Sequence, residues 1–108
     1  MDRTNERVAY LASPFHPAVI RLIASTIQEA HAQGKWVGLC GEMAGDPLAA
    51  PLLLGLGLDE FSMAAASIPL VKQAIRKLGY HDCQEIAATA LNLPTTKAVL
   101  EYLEQIKN

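Results

Sequence analysis

Residues 35–46 read KWVGLCGEMAGD, and this stretch decides the fold. Its first six residues are rich in β-formers and apolar on successive positions, which predicts a strand over residues 35–40 that is buried on both faces. The glycine-containing loop of residues 41–45 follows, and Asp46 with Pro47 is typical of the start of a helix. A strand that leads through a short loop into a helix is expected in a parallel sheet with crossover helices.

The flanking segments continue this alternation of helix and strand. Gly34 is placed to end the first helix in a left-handed conformation. The predicted N-caps of the last three helices are Ser67, Asp82 and either Thr95 or Thr96. The pattern predicts helices over residues 17–33, 47–54, 67–78, 82–91 and 96–107, with a second strand over residues 59–63.

The predicted order is therefore α-β-α-β-α-α-α, an α/β chain with two strands. Two strands alone make a poor parallel sheet, because each needs neighbours to pair with and to cover it. We therefore expect the chain to be part of something larger, either a piece of a (β/α)8 barrel or a fragment that associates with itself.

Composition narrows the class of protein. The 108 residues suit one compact domain, and 51% hydrophobic with 19% charged residues is normal for a globular chain. The net charge is -2, and the 9 Lys and Arg residues are scattered, so nucleic acid is not an expected partner. The longest apolar run, residues 47–58, is too short to span a bilayer, and we expect no membrane insertion.

The two cysteines, Cys40 and Cys83, form no CxxC pair and no disulfide framework. We interpret both as free thiols in a reducing compartment. The first residues, MDRTNERVAYLASP, lack the apolar core of a signal peptide, so we expect a cytoplasmic protein.

Cys40 is the first candidate for chemistry, because it ends the first predicted strand. In β/α barrels the reactive groups lie at the carboxyl ends of strands and on the following loops. The plain alternative is a small buried hydrophobic residue, which is what most free cysteines are. A nucleophile would need a base or an activated thiolate, a metal site would need further ligands, and a neutral thiol could act as a general acid.

The motifs at residues 37–46 (VGLCGEMAGD) and 54–63 (LGLGLDEFSM) resemble signatures of the phosphoenolpyruvate-protein phosphotransferases, enzyme I of the bacterial sugar phosphotransferase system. Ser67-Ile68-Pro69 continues the second signature, and residues 2–5 (DRTN) look like the segment that follows the family's magnesium-binding strand. The resemblance covers essentially the whole chain. It implies that residues 1–108 are the C-terminal part of a phosphoenolpyruvate-binding TIM barrel, about the last two strands with their helices.

The resemblance also implies an activity. Members of the family move the phosphoryl group of phosphoenolpyruvate onto their own histidine and then to the carrier protein HPr, with Mg2+ at the site. The residue that matches Cys40 protonates the pyruvate enolate, and the one that matches Arg3 binds phosphoenolpyruvate. A guanidinium suits that work because its planar fork pairs with carboxylate or phosphate oxygens. Without the resemblance, Arg3 would be interpreted as a solvated terminal charge.

Other polar residues have weaker claims. Glu42 could orient the thiol or a loop amide, or simply stabilise the loop. Asp59 and Glu60 are interpreted as a solvated acidic pair. Cys83 lies near a helix N-terminus, where a thiol can be activated, but is interpreted as structural. The three histidines are interpreted as surface or capping residues: His16, His31 and His81.

The resemblance also indicates what this chain lacks. The family's phosphohistidine domain, HPr-binding domain, magnesium ligands and other arginines lie in earlier segments, so we expect no catalysis by this chain alone and no metal bound by it. We expect homo-oligomers, because exposed strand edges and helix faces drive association. Two alternatives stay open, a non-catalytic interaction and dimerisation module derived from the barrel, and a thiol redox protein that uses Cys40.

Overall fold

The structure is a computed structural model that describes residues 14–107. Helices and strands follow one another in the predicted order α-β-α-β-α-α-α. The elements are α1 (Pro17–Ala32), β1 (Gly38–Cys40), α2 (Ala50–Gly55), β2 (Glu60–Ser62), α3 (Ile68–Arg76), α4 (Tyr80–Leu91) and α5 (Thr96–Lys107), with a 3-10 turn over Ala65–Ser67 before α3.

The two strands form a parallel pair, which confirms the expected mixed α/β architecture. Gly38 lies opposite Glu60, and Cys40 lies opposite Ser62. Before the strands begin, the carbonyl of Val37 accepts hydrogen bonds from the amides of Asp59 and Glu60 at 3.0 and 3.2 Å. Both strands therefore begin at the same end of the sheet and finish at the other end.

The prediction that the first strand is buried on both faces is wrong. Leu39 and Phe61 are half-buried and pack against the core, whereas Cys40 and Ser62 are exposed on the opposite face. The helices of residues 14–107 cover one face of the pair and leave the other open.

The hydrophobic core is built around α2, which is too short to be stable by itself and depends on packing. Ala50, Pro51, Leu52 and Leu53 are all buried, and the helix packs most extensively on α4. A Cβ atom added at Gly55 would overlap the backbone carbonyl of Cys83, so the two helices touch backbone to backbone there. Val71 is the buried residue of α3. The main cluster of buried core side chains comprises Phe15, Ile20, Ile27, Ala49, Leu52, Leu53, Leu58, Ile86, Ala87, Ala90, Val99 and Leu103.

Several predicted helix ends are confirmed. His16 caps α1, with its Nδ1 atom accepting the amide of Ala18 at 3.1 Å. Thr95 caps α5, with its hydroxyl accepting the amide of Ala98 at 3.0 Å. Gly34 has φ 73°, and the amide of Lys35 beyond it returns to the carbonyl of Ala30 at 2.9 Å.

Two predicted caps are wrong. Ser67 has helical backbone angles and makes no side-chain cap, because the 3-10 turn runs directly into α3. Asp82 lies inside α4, which begins at Tyr80, and its carboxylate reaches back to accept the amide of Gly79 at 3.1 Å. The helix expected from Pro47 begins at Ala50 instead. Pro51 therefore lies in its first turn, where it causes no distortion.

Candidate functional site

The carboxyl ends of the two strands bring Cys40 and Ser62 side by side. The residues are partners in the parallel register, and both side chains are exposed. Side chains alternate between faces along a strand, so partners in register share a face. Consistent with this, a Cβ atom on Gly38 would meet the Glu60 carboxylate at 3.4 Å, one layer below. The thiol and the hydroxyl therefore stand together on the face away from the core.

The chain turns sharply after Cys40 because the next residue is a glycine. Gly41 has φ 101°, a conformation that L side chains rarely adopt. The loop then closes with two turns, in which the amide of Gly45 donates to the carbonyl of Glu42 and that of Asp46 to Met43, both at 3.2 Å. This local geometry presents Cys40 at a rim instead of inside a continuing strand.

The loops that follow the two strands pack on each other. A Cβ atom on Gly45 would lie 3.2 Å from the Cβ atom of Met63 and 3.2 Å from the hydroxyl of Ser67. The loop after β1 therefore packs tightly against the segment after β2, and a side chain at this position would have to push its neighbours slightly aside.

An open depression lies between these loops, at the edge where Cys40 ends β1. It has both backbone and small polar groups on its surface, together with one carboxylate. Its lining residues are Gly41, Glu42, Gly45, Ser62, Met63, Ala64 and Ser67.

The opposite end of the sheet, where the two strands begin, has a polar cluster that the sequence did not predict. Asp59 accepts a hydrogen bond from the Nε2 atom of His31 and another from the amide of Val37, both at 2.7 Å. The hydrogen bond from His31, then that from Val37, lowers the pKa of the Asp59 carboxyl below its usual value. Asp59 and Glu60 are both exposed, as expected of a solvated acidic pair. The two hydrogen bonds that Asp59 accepts are the part that the sequence did not predict.

The structure separates the roles of the two cysteines. Cys40 is exposed, so the plain interpretation of it as a buried hydrophobic residue is wrong. Cys83 is fully buried, where burial first and the nearby Asp82 charge second raise the pKa of its thiol. This confirms that Cys83 is structural.

The remaining predicted residues occupy different places. Glu42 is exposed in the loop after Cys40, on the wall of the depression. His81 is a surface residue whose Nε2 atom lies 3.2 Å from the Glu85 carboxylate. Arg3 lies outside the described residues.

The described residues include no candidate metal site. Within residues 14–107, no three His, Cys, Asp or Glu side chains are grouped so that they could hold a metal ion. None of the helices described in that range is long and apolar enough to cross a bilayer.

Comparison with known proteins shows which family this chain matches. Residues 1–80 match the family described as PEP-utilising enzyme, PEP-binding domain. The chain is 52% identical over 104 residues to the phosphoenolpyruvate-protein phosphotransferase of Geobacillus stearothermophilus, and 50% identical over 104 residues to that of Bacillus subtilis. It is 48% identical over 105 residues to the protein of the same name from Haemophilus influenzae.

These alignments cover 96–97% of this chain but 18% of each relative. The chain thus spans about a fifth of the length of the curated relatives that it matches. Resemblance to the phosphoenolpyruvate-protein phosphotransferases, first visible in the two glycine-rich motifs, is confirmed over nearly the whole chain, and the chain belongs to the PEP-utilising enzyme family.

Proposed function

We propose that this chain supplies the proton-donor corner of a phosphoenolpyruvate and pyruvate site, in a phosphotransferase of the kind named by its relatives. The observation that carries this proposal is the position of Cys40, an exposed thiol at the carboxyl end of β1 beside an open depression. Reactive groups of β/α enzymes lie at this edge of the sheet. The proposed reaction is the one that the shared name of these relatives describes, phosphoryl transfer from phosphoenolpyruvate.

The proposed step is a proton transfer to carbon. When phosphoenolpyruvate loses its phosphoryl group, the enolate of pyruvate remains. The enolate π pair takes the proton from the S–H bond of Cys40, which forms the methyl group of pyruvate and restores the ketone. The electron pair of the broken S–H bond stays on sulfur as a thiolate, which later regains a proton from water.

A barrel would explain why one face of the strand pair is covered by helices and the other face is open. In a (β/α)8 barrel each strand has one face against the helices and one face toward the barrel interior. Leu39 and Phe61 pack toward the helices, and Cys40 and Ser62 face away from them. These faces support the proposal that β1 and β2 are the last two strands of such a barrel, within a domain to which residues 1–108 contribute the C-terminal part.

Two further residues of this chain have proposed roles, and the remaining steps belong to other segments. Arg3 binds phosphoenolpyruvate, and Glu42 orients the thiol or a loop amide beside it. Transfer of the phosphoryl group to a histidine and to HPr takes place in the cytoplasm and requires domains of the longer relatives. Magnesium is assigned to those domains too.

A chimera tests this proposal most directly. In the phosphotransferase of Geobacillus stearothermophilus, the matching 18% of the protein is replaced by this chain, and exchange of the pyruvate methyl protons with deuterated water is followed by NMR. Because general acids contribute about 10²–10⁴ in rate, Cys40→Ala is expected to slow exchange by about 100-fold or more. Cys83→Ala, which changes the buried thiol, is the matched control and is expected to retain exchange. Unchanged exchange in Cys40→Ala would sink the assignment.

The isolated chain is expected to catalyse no exchange with pyruvate and magnesium. Residues 14–107 hold no cluster of metal ligands, and charge developing at phosphate or enolate oxygens needs metal ions or cationic groups. Exchange by a folded sample of the 108-residue chain, if it disappeared in Cys40→Ala, would contradict this expectation.

A second candidate function is an interaction module that retains a dimer surface of the barrel. Large apolar side chains are exposed on three different elements or loops: Leu22 (67%), Trp36 (68%) and Leu70 (55%). Exposed apolar surface favours association. Equilibrium sedimentation measures this association in the chimera and in the isolated chain. The exchange assay with Cys40→Ala distinguishes the two candidates, since a module without catalysis would give no exchange that depends on Cys40.

A further inference from the structure

Ser62 has a place in the sheet that the sequence analysis did not use. It is the parallel partner of Cys40, and both residues end their strands on the same exposed face. Neighbouring strands lie about 4.8 Å apart, so hydroxyl and thiol rotamers that face each other come within hydrogen-bonding reach. Ser62 also lines the depression beside the loop that follows Cys40.

A thiol that gives away its proton needs stabilisation afterwards. Transfer leaves a full negative charge on sulfur, and a hydrogen bond to a charged group is stronger than one between neutral groups. A serine hydroxyl can supply such a hydrogen bond, because it is one donor with a freely rotating proton. Glu42, the nearby carboxylate, accepts hydrogen bonds when ionised and cannot serve in this way.

Ser67 is the other hydroxyl of the depression, and its position differs. Its oxygen lies against Gly45, where an added Cβ atom would approach it to 3.2 Å. It is not a register partner of Cys40, and it belongs to the 3-10 turn before α3. The same depression therefore contains one serine paired with the thiol and one that serves as a comparison.

We propose that Ser62 is a positioning residue, whose hydroxyl orients the Cys40 thiol and donates a hydrogen bond to the thiolate after proton transfer. This inference rests on the proposed role of Cys40. The Ser62 O–H bond does not break. The thiolate is reprotonated by water, so the hydroxyl changes the stability of the thiolate without consuming a proton.

The test uses the chimera described above, with Ser62→Ala, Ser62→Thr and Ser67→Ala. One readout is pyruvate methyl exchange. The other is the pH dependence of iodoacetamide alkylation at Cys40, followed by mass spectrometry of the peptide that contains it. Because one hydrogen bond to a charged group is typically worth a tenfold effect or more, Ser62→Ala is expected to slow exchange about tenfold with little change in KM.

Alkylation of Cys40 is expected to be slower in Ser62→Ala than in the parent chimera, because the thiolate has lost a donor. Ser62→Thr, which keeps the hydroxyl, is expected to restore both readouts, and Ser67→Ala to leave both unchanged. An alkylation profile unchanged in Ser62→Ala, or equal effects of Ser67→Ala, would overturn this inference.

The two proposals fail separately. If Cys40→Ala retains exchange, the proposed function itself falls. If Cys40→Ala abolishes exchange while Ser62→Ala keeps both the rate and the alkylation profile of the parent, only the role of Ser62 falls.

Discussion

The Nε2 atom of His31 lies 2.7 Å from the Oδ2 atom of Asp59, and the two residues are 28 positions apart in the chain. The same oxygen accepts the amide of Val37 at 2.7 Å. One carboxylate thereby joins the end of α1, the segment that enters β1 and the segment that enters β2. This contact holds together the segments that precede the two strands, at the end of the sheet opposite Cys40.

Removing the Asp59 charge is expected to destabilise the chain in a pH-dependent way. Because the folded state lowers the pKa of Asp59 below 3.8, its contribution is fully present above that pH and is lost as the pH falls through the folded value. Asp59→Asn is therefore expected to unfold at lower urea than the parent at pH 7. The difference should shrink under acid conditions, below about pH 4.

Urea unfolding followed by circular dichroism at several pH values measures this difference. Glu60→Gln removes the neighbouring exposed carboxylate and is expected to leave the urea midpoint nearly unchanged. Equal midpoints for Asp59→Asn and the parent at pH 7 would contradict the prediction.

Gly55→Ala is expected to weaken the core strongly. The new Cβ atom would overlap the backbone carbonyl of Cys83, and the backbone of a packed helix cannot move aside cheaply. Overpacking a core costs about 1–3 kcal/mol and occasionally more, and a backbone clash belongs at the upper end. Denaturant unfolding measures the cost.

The matched control for Gly55→Ala is Gly79→Ala. At Gly79 the nearest atom to an added Cβ is the Asp82 carboxylate at 3.7 Å, an ordinary contact, so the cost should stay within about 1 kcal/mol. Similar losses for the two variants would show that helices α2 and α4 are not in close backbone contact.

The two thiols are expected to differ in labelling by iodoacetamide. Cys40 is exposed, whereas burial excludes the reagent from Cys83 and raises the pKa of its thiol. Native protein at pH 7.5 should therefore incorporate one label, at Cys40, and denatured protein should incorporate two. Mass spectrometry of the labelled peptides makes the measurement.

The rate of labelling at Cys40 bears on the redox alternative. A general acid keeps its proton at rest, so alkylation should be no faster than that of glutathione under the same conditions. Much faster, selective labelling of Cys40 would favour a redox thiol instead.

Gly41→Ala is expected to displace Cys40 while leaving the core intact. The residue has φ 101°, and holding a non-glycine residue in such a conformation costs about 1–3 kcal/mol. The loop is expected to relax by moving, which misplaces the neighbouring thiol. In the chimera, pyruvate methyl exchange should therefore fall at least tenfold, since small displacements of a reacting group are costly.

Ala64→Gly is a suitable control for Gly41→Ala, because it changes a lining residue of the same depression whose backbone is extended. Exchange is expected to survive that substitution. Full activity in Gly41→Ala would mean that the loop does not position Cys40.

Local signals in the sequence predicted most of the fold. The order of elements and the ends at His16, Gly34 and Thr95 depend on neighbouring residues, where periodicity and capping chemistry act directly. The parallel pairing was expected from the alternation of strand and helix. Asp82 is not the N-cap that the sequence predicts. A carboxylate in the first turn of a helix can accept a hydrogen bond from the N-cap amide, and Asp82 does this with Gly79.

Relationships between distant residues were not predictable in this way. Nothing in the spacing of His31 and Asp59 indicates their contact, and a short apolar strand gives no sign that one of its faces stays open. The site was predictable in part: Cys40 stood out by its place at a strand end, whereas Ser62 became a candidate only when the strand register was known.

The contact of Gly45 with Met63 and Ser67 has a consequence for how such sequences can diverge. The loop that follows Cys40 and the segment that follows Ser62 pack so closely that a side chain in place of Gly45 must push Met63 or Ser67 slightly aside. Recombination between relatives should therefore preserve function best when both motifs are inherited from the same parent, which makes this pair of loops a unit of evolutionary exchange.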